Sequence, residues 1–322
     1  MTQETEGILD RRRLRRKLGV WRMLAIIAGI FFVGAIAYMT GGGAAERLVR
    51  QPQIARISVE GMITEDRATV ELLQRLAKAD NVRGVIVYVN SPGGTTTGGE
   101  ALYTGLRDLA AKKPVVAQLG TIAASAAYIT GLGTDYIVAR GNSITGSVGV
   151  IMQWPEVTGL LDKIGVKMKT VKSGTLKAEP SPFKELDAEN RAILEQMIDE
   201  SMRWFVGLVR ERRKVDTQTI PGLEEGRVYS GREALQYKLV DEIGGEDAAI
   251  KYLVEKRDVP AGLQVRDWKP KNEFDWPFSN ALAGYMLGTL AGLFGSLGQT
   301  VSPLPVSGLG GMMSVWQPSQ TE

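Results

Sequence analysis

The chain has 322 residues, 44% of them hydrophobic, with 39 lysines and arginines against 36 aspartates and glutamates, and neither histidine nor cysteine. The formal net charge of +3 does not indicate nucleic-acid binding. Without histidine or cysteine the chain excludes a Ser-His-Asp or Cys-His centre, a reactive thiolate, and a metal held by imidazole or sulfur. Covalent chemistry would therefore need a hydroxyl activated by lysine or a carboxylate, and we expect neither a metal nor a cofactor.

The N-terminal region joins a basic block to an apolar run. Six lysines and arginines lie between residues 11 and 17, and residues 24–39 are almost wholly apolar, with Trp21 and Tyr38 near the two ends. About 20 apolar residues cross a bilayer as a helix, and preceding cations keep that end in the cytoplasm. We expect a basic cytoplasmic segment at residues 1–20 and a transmembrane signal anchor at 21–43. A cleaved signal peptide is the alternative, although the apolar run is longer than a usual signal core.

This topology places the rest of the chain outside the cytoplasmic membrane, which in a bacterium is the periplasmic side of the inner membrane. Predicted strands and helices then alternate through one domain, expected at residues 54–265. Strands are predicted at residues 54–59, 84–89, 115–119, 136–139 and 167–172, and helices at 64–78, 99–112, 122–132, 157–164 and 187–213. Continuous apolar runs such as 84–89 are typical of buried parallel strands. The alternation predicts an α/β fold built of right-handed β-α-β units.

The last segment, residues 266–322, is predicted to be an apolar C-terminal tail. Residues 276–321 carry no charge, and glycines recur every four residues at 284, 288 and 292. A second membrane helix with a small-residue packing stripe is one interpretation. We prefer a segment that lies at the membrane surface or lines an oligomer, because the apolar run is short and lacks basic flanks.

Two small-residue segments follow predicted strands, where α/β folds place their functional loops. Residues 90–94, Asn-Ser-Pro-Gly-Gly, have two glycines that can expose backbone N–H groups as half of an oxyanion hole, or can form an ordinary tight turn. Ser125 lies among small residues at 120–128, which would let a substrate backbone approach its hydroxyl. A small-residue packing helix is the alternative there.

A third segment, residues 173–180, contains Lys177. An isolated loop lysine is usually a solvated charge, and it becomes a general base only where burial and neighbours lower its pKa. A nearby hydroxyl would orient the amine without adding charge, and Ser147, in the run Thr-Gly-Ser-Val-Gly-Val, is a candidate for that role.

The order of these motifs resembles that of the bacterial signal peptide peptidase A family: Asn-Ser-Pro-Gly-Gly, then Ala-Ala-Ser, Thr-Gly-Ser-x-Gly-Val and Gly-x-x-Lys. Residues 226–232, Gly-Arg-Val-Tyr-Ser-Gly-Arg, also resemble a motif of that family. The resemblance covers about residues 54–245 and suggests the half-length, single-domain form. It implies a crotonase/Clp protease-like β-α-β superhelical domain and a Ser/Lys catalytic dyad. By the match Ser125 is the nucleophile, Lys177 the general base and Ser147 the hydroxyl that holds the lysine. The match also implies an oxyanion hole formed by the N–H groups of Gly94 and Ala126.

The family usually has two glycines after the nucleophile, whereas this chain has Ala126 and Ala127, which alters the expected substrate pocket more than the activity. We expect extended peptides to bind beside Gly93 and Gly94. The expected function is a membrane-anchored serine endopeptidase that degrades residual signal peptides. We also expect a homo-oligomeric ring whose active sites are shared between subunits, since the two halves of duplicated family members supply the serine and the lysine separately.

Three alternatives remain at this stage. One is a related membrane-protein peptidase of the same fold with other substrates. Another is a crotonase-like acyl-CoA hydratase or isomerase, which the membrane anchor and the Ser/Lys motifs disfavour. The third is a non-catalytic membrane scaffold, which the presence of both dyad residues disfavours.

Overall fold

The computed structural model describes residues 19, 21–29, 32 and 51–270, together with the backbone of 313–315. The chain divides into two compact units, Met1–Pro52 and Gln53–Glu322. In the first unit, residues 21–29 and 32 are helical, and the other residues of the predicted anchor lie outside the described residues. Within the described part of the chain, no helix combines the length and apolar character needed to cross a bilayer.

The second unit is built on one nine-stranded sheet. Its main path runs in the order β6-β5-β3-β2-β1-β8, with β4 beside β3, β7 beside β4, and β9 beside β2. Most neighbours are parallel, while β6 and β9 pair antiparallel. The strands are β1 (Gln53–Ile63), β2 (Val82–Thr95), β3 (Val115–Ala124), β4 (Tyr136–Ala139), β5 (Ile144–Gly146), β6 (Val228–Ser230), β7 (Glu242–Ile243), β8 (Gln264–Asp267) and β9 (Met313–Val315).

Seven helices connect these strands within residues 51–270. They are α1 (Arg67–Lys78), α2 (Thr96–Ala110), α3 (Ala126–Leu132), α4 (Thr158–Lys163), α5 (Ala188–Arg213), α6 (Gly231–Gln236) and α7 (Glu246–Lys256). Side chains cap several of their N-termini, where the first N–H groups lack intrahelical partners. Asp66 accepts from the N–H groups of Ala68 and Thr69, and Ser230 and Glu233 form a reciprocal capping box.

Apolar side chains of alternate residues on the strands enter two separate cores. Val85, Val87 and Val89 of β2 belong to the larger core, together with residues of α1, α2, α3 and the end of α5. Ile86 points to the opposite face, where Val116 and α7 residues such as Leu253 form the smaller core. Helices cover both faces of a mainly parallel sheet, which confirms the predicted α/β class.

Three local predictions were wrong. Residues 167–172 form no strand, because Met168 and Val171 are exposed and no described strand lies beside them. The helix predicted from residue 122 begins at Ala126, since residues 122–124 continue β3 and pair with β5. Residues 90–94, predicted as a loop, belong to β2 and pair with β1 beyond a register shift.

Candidate active site

The Asn-Ser-Pro-Gly-Gly segment is tied to the neighbouring strand at the end of β2. The Asn90 side-chain oxygen accepts hydrogen bonds from the N–H groups of Thr121 and Ile122, at 3.0 and 3.3 Å. The buried Ser91 hydroxyl accepts from the N–H of Gly93 at 3.1 Å, and its oxygen lies 3.2 Å from the Gly93 carbonyl, to which it donates. Asn90 therefore holds the segment containing Gly93 and Gly94 against the strand that leads to Ser125.

Ser125 lies between the end of β3 and the start of α3, in a backbone conformation that non-glycine residues rarely adopt. Its φ and ψ are 60° and −121°. Its N–H donates to the carbonyl of Gly146 at 2.8 Å, and its own carbonyl accepts from the N–H of Ile129 at 3.0 Å. The residue is only 1% exposed, and every residue of α3 is buried. Such a tight strand-to-helix turn is typical of a fixed nucleophile.

Ser147 follows the glycine that accepts this hydrogen bond. Ala124 and Gly146 are paired residues of the adjacent parallel strands β3 and β5. Ser125 and Ser147 each follow one of these paired residues, and adjacent strands of a sheet lie about 4.8 Å apart. Ser147 has a φ of 52°, is 8% exposed, and donates its N–H to the carbonyl of Arg227 at 2.9 Å. The structure thus brings together the predicted nucleophile and the predicted orienting hydroxyl.

Gly146 explains why the Thr-Gly-Ser and Gly-Arg-Val-Tyr runs occur in one chain. Its φ is 87°, and an added Cβ would lie 2.7 Å from the ring of Tyr229. The Tyr229 hydroxyl donates to the carbonyl of Pro221 at 2.8 Å. Only glycine at position 146 lets β5 approach this buried ring. The Gly-Arg-Val-Tyr segment therefore packs directly against the Thr-Gly-Ser segment.

The two predicted oxyanion donors come from segments that pack against each other. Gly94 is close to the end of β2, and Ala126 is the first residue of α3. Gly99, in the first turn of α2, lies against the start of α3, since a Cβ there would be 3.2 Å from the Cβ of Ala126. A Cβ at Gly94 would be 1.8 Å from the carbonyl oxygen of Ile63. The close strand approach therefore requires glycine at position 94.

Two buried phenols beside the nucleophile are structural. The Tyr128 hydroxyl donates to the carbonyl of Leu239 at 2.9 Å. Burial raises the pKa of both Tyr128 and Tyr229, and both hydroxyls already donate to backbone carbonyls. Neither phenol is suited to act as the base at neutral pH.

Lys177 lies apart from this cluster, on an exposed segment at residues 150–187 that we call the arm. Its backbone N–H donates to the carbonyl of Gly174 at 3.2 Å. Its side chain is exposed and makes no hydrogen bond or ion pair with any residue of the described range 51–270. A single chain therefore joins four of the five motif segments at Ser125 and leaves the lysine outside.

A strand from the tail lies beside the predicted substrate-binding glycines. β9 pairs antiparallel with the end of β2, with Gly93 opposite Val315, Gly94 opposite Ser314 and Thr95 opposite Met313. The remaining residues of the predicted tail after 270 lie outside the described residues. The edge of β2 at these glycines therefore accepts an extended chain through backbone hydrogen bonds.

A buried serine at a strained strand-to-helix turn, next to a second hydroxyl and in a chain without histidine, is the arrangement expected of a serine hydrolase that uses another base. Comparison with known proteins agrees: the model described as Peptidase family S49 matches residues 107–260, and the model described as Clp protease matches residues 45–139.

Curated relatives carry protease names. A putative protease of Methanocaldococcus jannaschii is 39% identical over 60% of this chain and 62% of its own length, and one of Synechocystis is 36% identical over 61% and 72%. A putative signal peptide peptidase of Enterococcus faecium is 30% identical over 64% of each chain. The chain thus spans less than two thirds of the length of the Methanocaldococcus and Enterococcus relatives. The solved structure of a membrane-bound stomatin-specific protease, 16% identical, has a TM-score of 0.43 over 69% of this chain and 99% of its own.

The chain belongs to peptidase family S49. This confirms the resemblance to signal peptide peptidase A and, at the level of the family, the prediction of a serine peptidase. Sequence reasoning did not foresee that Asn90 would link two motifs. The sequence feature that could have indicated it is a polar residue directly after an apolar strand. Its side chain can accept hydrogen bonds from the backbone N–H groups at the end of the neighbouring strand.

Proposed function

We propose that the chain is a membrane-anchored serine endopeptidase that degrades residual signal peptides. Family membership favours a peptidase over an acyl-CoA hydratase or a scaffold. The observation that carries the proposal is the convergence of four motif segments around Ser125, with a tail strand occupying the adjacent β2 edge. That edge suits an extended peptide, whose backbone would supply affinity while its side chains enter neighbouring pockets.

In this mechanism the Ser125 hydroxyl attacks the scissile carbonyl while neutral Lys177 takes its proton. The N–H groups of Gly94 and Ala126 stabilise the negative charge that develops on the carbonyl oxygen. Lys177 then gives the proton to the leaving amine, and an acyl-enzyme remains on Ser125. Water attacks this ester, Lys177 accepts the proton of the water, and Ser125 regains its hydrogen as the acid product leaves. Ser147 orients the lysine amine throughout.

The lysine in this proposal reaches the serine of a neighbouring subunit. Eight of the thirteen exposed large apolar side chains between residues 51 and 270 belong to the arm, which is more than a monomer's surface usually leaves in one segment. These eight are Ile151, Leu160, Ile164, Val166, Met168, Val171, Leu176 and Phe183. Seated on a second copy, the arm would bury them and carry Lys177 to that copy's Ser125. Head-to-tail contacts of this kind close into a ring.

The proposed anchor is residues 21–43, with the peptidase domain on the periplasmic side. The six cations before it and the apolar run itself support this orientation. Alkaline phosphatase fused after residue 60 should be active, and the opposite result, an active cytoplasmic reporter at the same junction, would reverse the topology.

A serine-reactive fluorophosphonate tests the activity directly. The assembled protein should be labelled, and Ser125→Ala should not. Mixing Ser125→Ala with Lys177→Ala subunits tests the shared site, because some interfaces would then carry both intact groups. Peptidase activity should return in the mixture. Rings shown to contain both variants yet remaining inactive would mean that the dyad forms within one chain.

A further inference from the structure

Two residues after Lys177, the arm contains a carboxylate in an unusual setting. The Glu179 side chain is only 4% exposed, although most of the surrounding arm is solvated. Its Oε1 accepts from the Nζ of Lys172 at 2.6 Å and from the Nζ of Lys184 at 2.8 Å. Two lysines thus share one carboxylate oxygen. We call these three residues the Glu179 clamp.

The clamp joins both ends of the segment that carries Lys177. Lys172 precedes Lys177 by five residues and Lys184 follows it by seven, so their common contact with Glu179 closes the chain on either side. Between Lys177 and Glu179, Ala178 has a φ of 61°, a left-handed turn that sets the two neighbouring side chains in different directions. The buried carboxylate faces inward while the lysine remains exposed.

Further contacts connect the clamp to a rigid element. The Nζ of Lys184 also lies 3.3 Å from the Oδ2 of Asp187, the N-cap of α5. Asp187 accepts from the backbone N–H of Asn190 at 2.9 Å and from its side-chain amide at 2.7 Å. These hydrogen bonds lower the pKa of Asp187 to about 2, so it is charged at any working pH. Further along α5, Phe205 and Val209 are fully buried in the larger core.

The second carboxylate oxygen of Glu179 is buried, unlike the oxygens of an ordinary surface ion pair. Oε2 is buried and has no hydrogen-bond partner among the described residues. Burying a carboxylate with one oxygen unsatisfied is unfavourable unless its partners compensate strongly. The hydrogen bonds from Lys172 and Lys184 lower the pKa of Glu179, which keeps it ionised. A glutamine here could still accept from a lysine, but it would lose the negative charge that holds two ammonium groups at one oxygen.

We propose that Glu179 is a positioning residue for the reaction: with Lys172 and Lys184 it fixes the backbone that presents Lys177. This inference rests on the proposed role of Lys177 as general base. The charged groups facing Glu179 are Lys172 and Lys184, with Asp187 beyond Lys184.

Two substitutions that break the clamp from either side form the test. Glu179→Gln removes the charge that holds both lysines, and Lys172→Met removes one of those lysines. In both variants kcat should fall several-fold with little change in KM, because the base is less well placed while the β2 edge that binds the peptide is unchanged. Both variants should assemble as the wild type does.

Two more variants complete the test. Glu179→Asp keeps the charge but shortens the side chain, so the clamp cannot close in the same place and kcat should also fall. Lys251→Met, in α7, removes an exposed lysine outside both the clamp and the arm and should change neither kcat nor KM. If Glu179→Gln and Lys172→Met assemble normally and keep the wild-type kcat, or raise KM instead, the clamp does not position Lys177. Activity that survives Lys177→Arg would instead refute the general base itself.

Discussion

Gly94→Ala should abolish most of the peptidase activity by displacing one oxyanion donor. An added Cβ would lie 1.8 Å from the carbonyl oxygen of Ile63 and 2.5 Å from its carbonyl carbon, and both are backbone atoms of the paired strand β1. Because real Cβ atoms do not approach closer than 3.0 Å, the two strands must separate by about 1.2 Å at this point. A donor must lie about 2.7–3.1 Å from the developing oxyanion, so a shift of this size removes it.

Loss of one such donor lowers kcat by about 10²- to 10³-fold, which corresponds to about 2.7–4 kcal/mol. The assay compares kcat on a chromogenic peptide with melting temperature and oligomeric state. Gly131→Ala, inside α3, is the matched control, since its Cβ would make ordinary contacts of 3.7 and 3.8 Å with Ile137 and Leu119. That variant should keep wild-type kcat. Folded Gly94→Ala with kcat within twofold of wild type would refute the role of Gly94.

Three further outcomes follow from the site. Lys177→Arg keeps the charge but cannot lose its proton near neutral pH, so kcat should fall by orders of magnitude, nearly to the Ser125→Ala level; retained activity would exclude lysine as the base. Ser147→Ala should lower kcat less than either dyad substitution, because Ser147 orients the base without reacting, and an equal loss would give it a direct chemical role. Deleting residues 313–315, which pair with the substrate-binding edge, should lower KM for added peptides, whereas an unchanged KM would show that β9 does not compete with them.

The parts of the fold that are encoded locally could be predicted from the sequence. Residues 84–89 are a continuous apolar run and residues 115–119 are apolar except for Gln118, and both segments lie in parallel strands of the buried sheet. Residues 122–124 were harder, because alanine has a strong preference for helices and is uncommon in strands. What makes this segment a strand is its pairing with β5, more than 20 residues later, and the turn at Ser125 that ends it.

The arm is a segment whose structure could not be predicted from the sequence. Its residues 167–172, Lys-Met-Lys-Thr-Val-Lys, lie between a predicted helix and a predicted functional loop, where a β-α-β pattern places a strand, yet they have no strand partner among the described residues. The order of elements along the chain does not show which molecule covers Met168 and Val171, which are exposed in the single chain. In the candidate site, the family resemblance predicts that Ser125, Ser147 and Gly94 act together, whereas the clamp depends on two lysines from either side of Lys177 in the chain that meet at one buried carboxylate.

The backbone at Ser125 has a consequence for thermal stability. A φ of 60° with a ψ of −121° is readily available to glycine and unfavourable for other residues, by about 1–3 kcal/mol. Replacing the nucleophile by glycine should therefore raise the melting temperature, while alanine, which removes the hydroxyl but keeps the Cβ, should not. The difference between these two inactive variants would measure how much folding stability the protein forgoes to hold its serine in place.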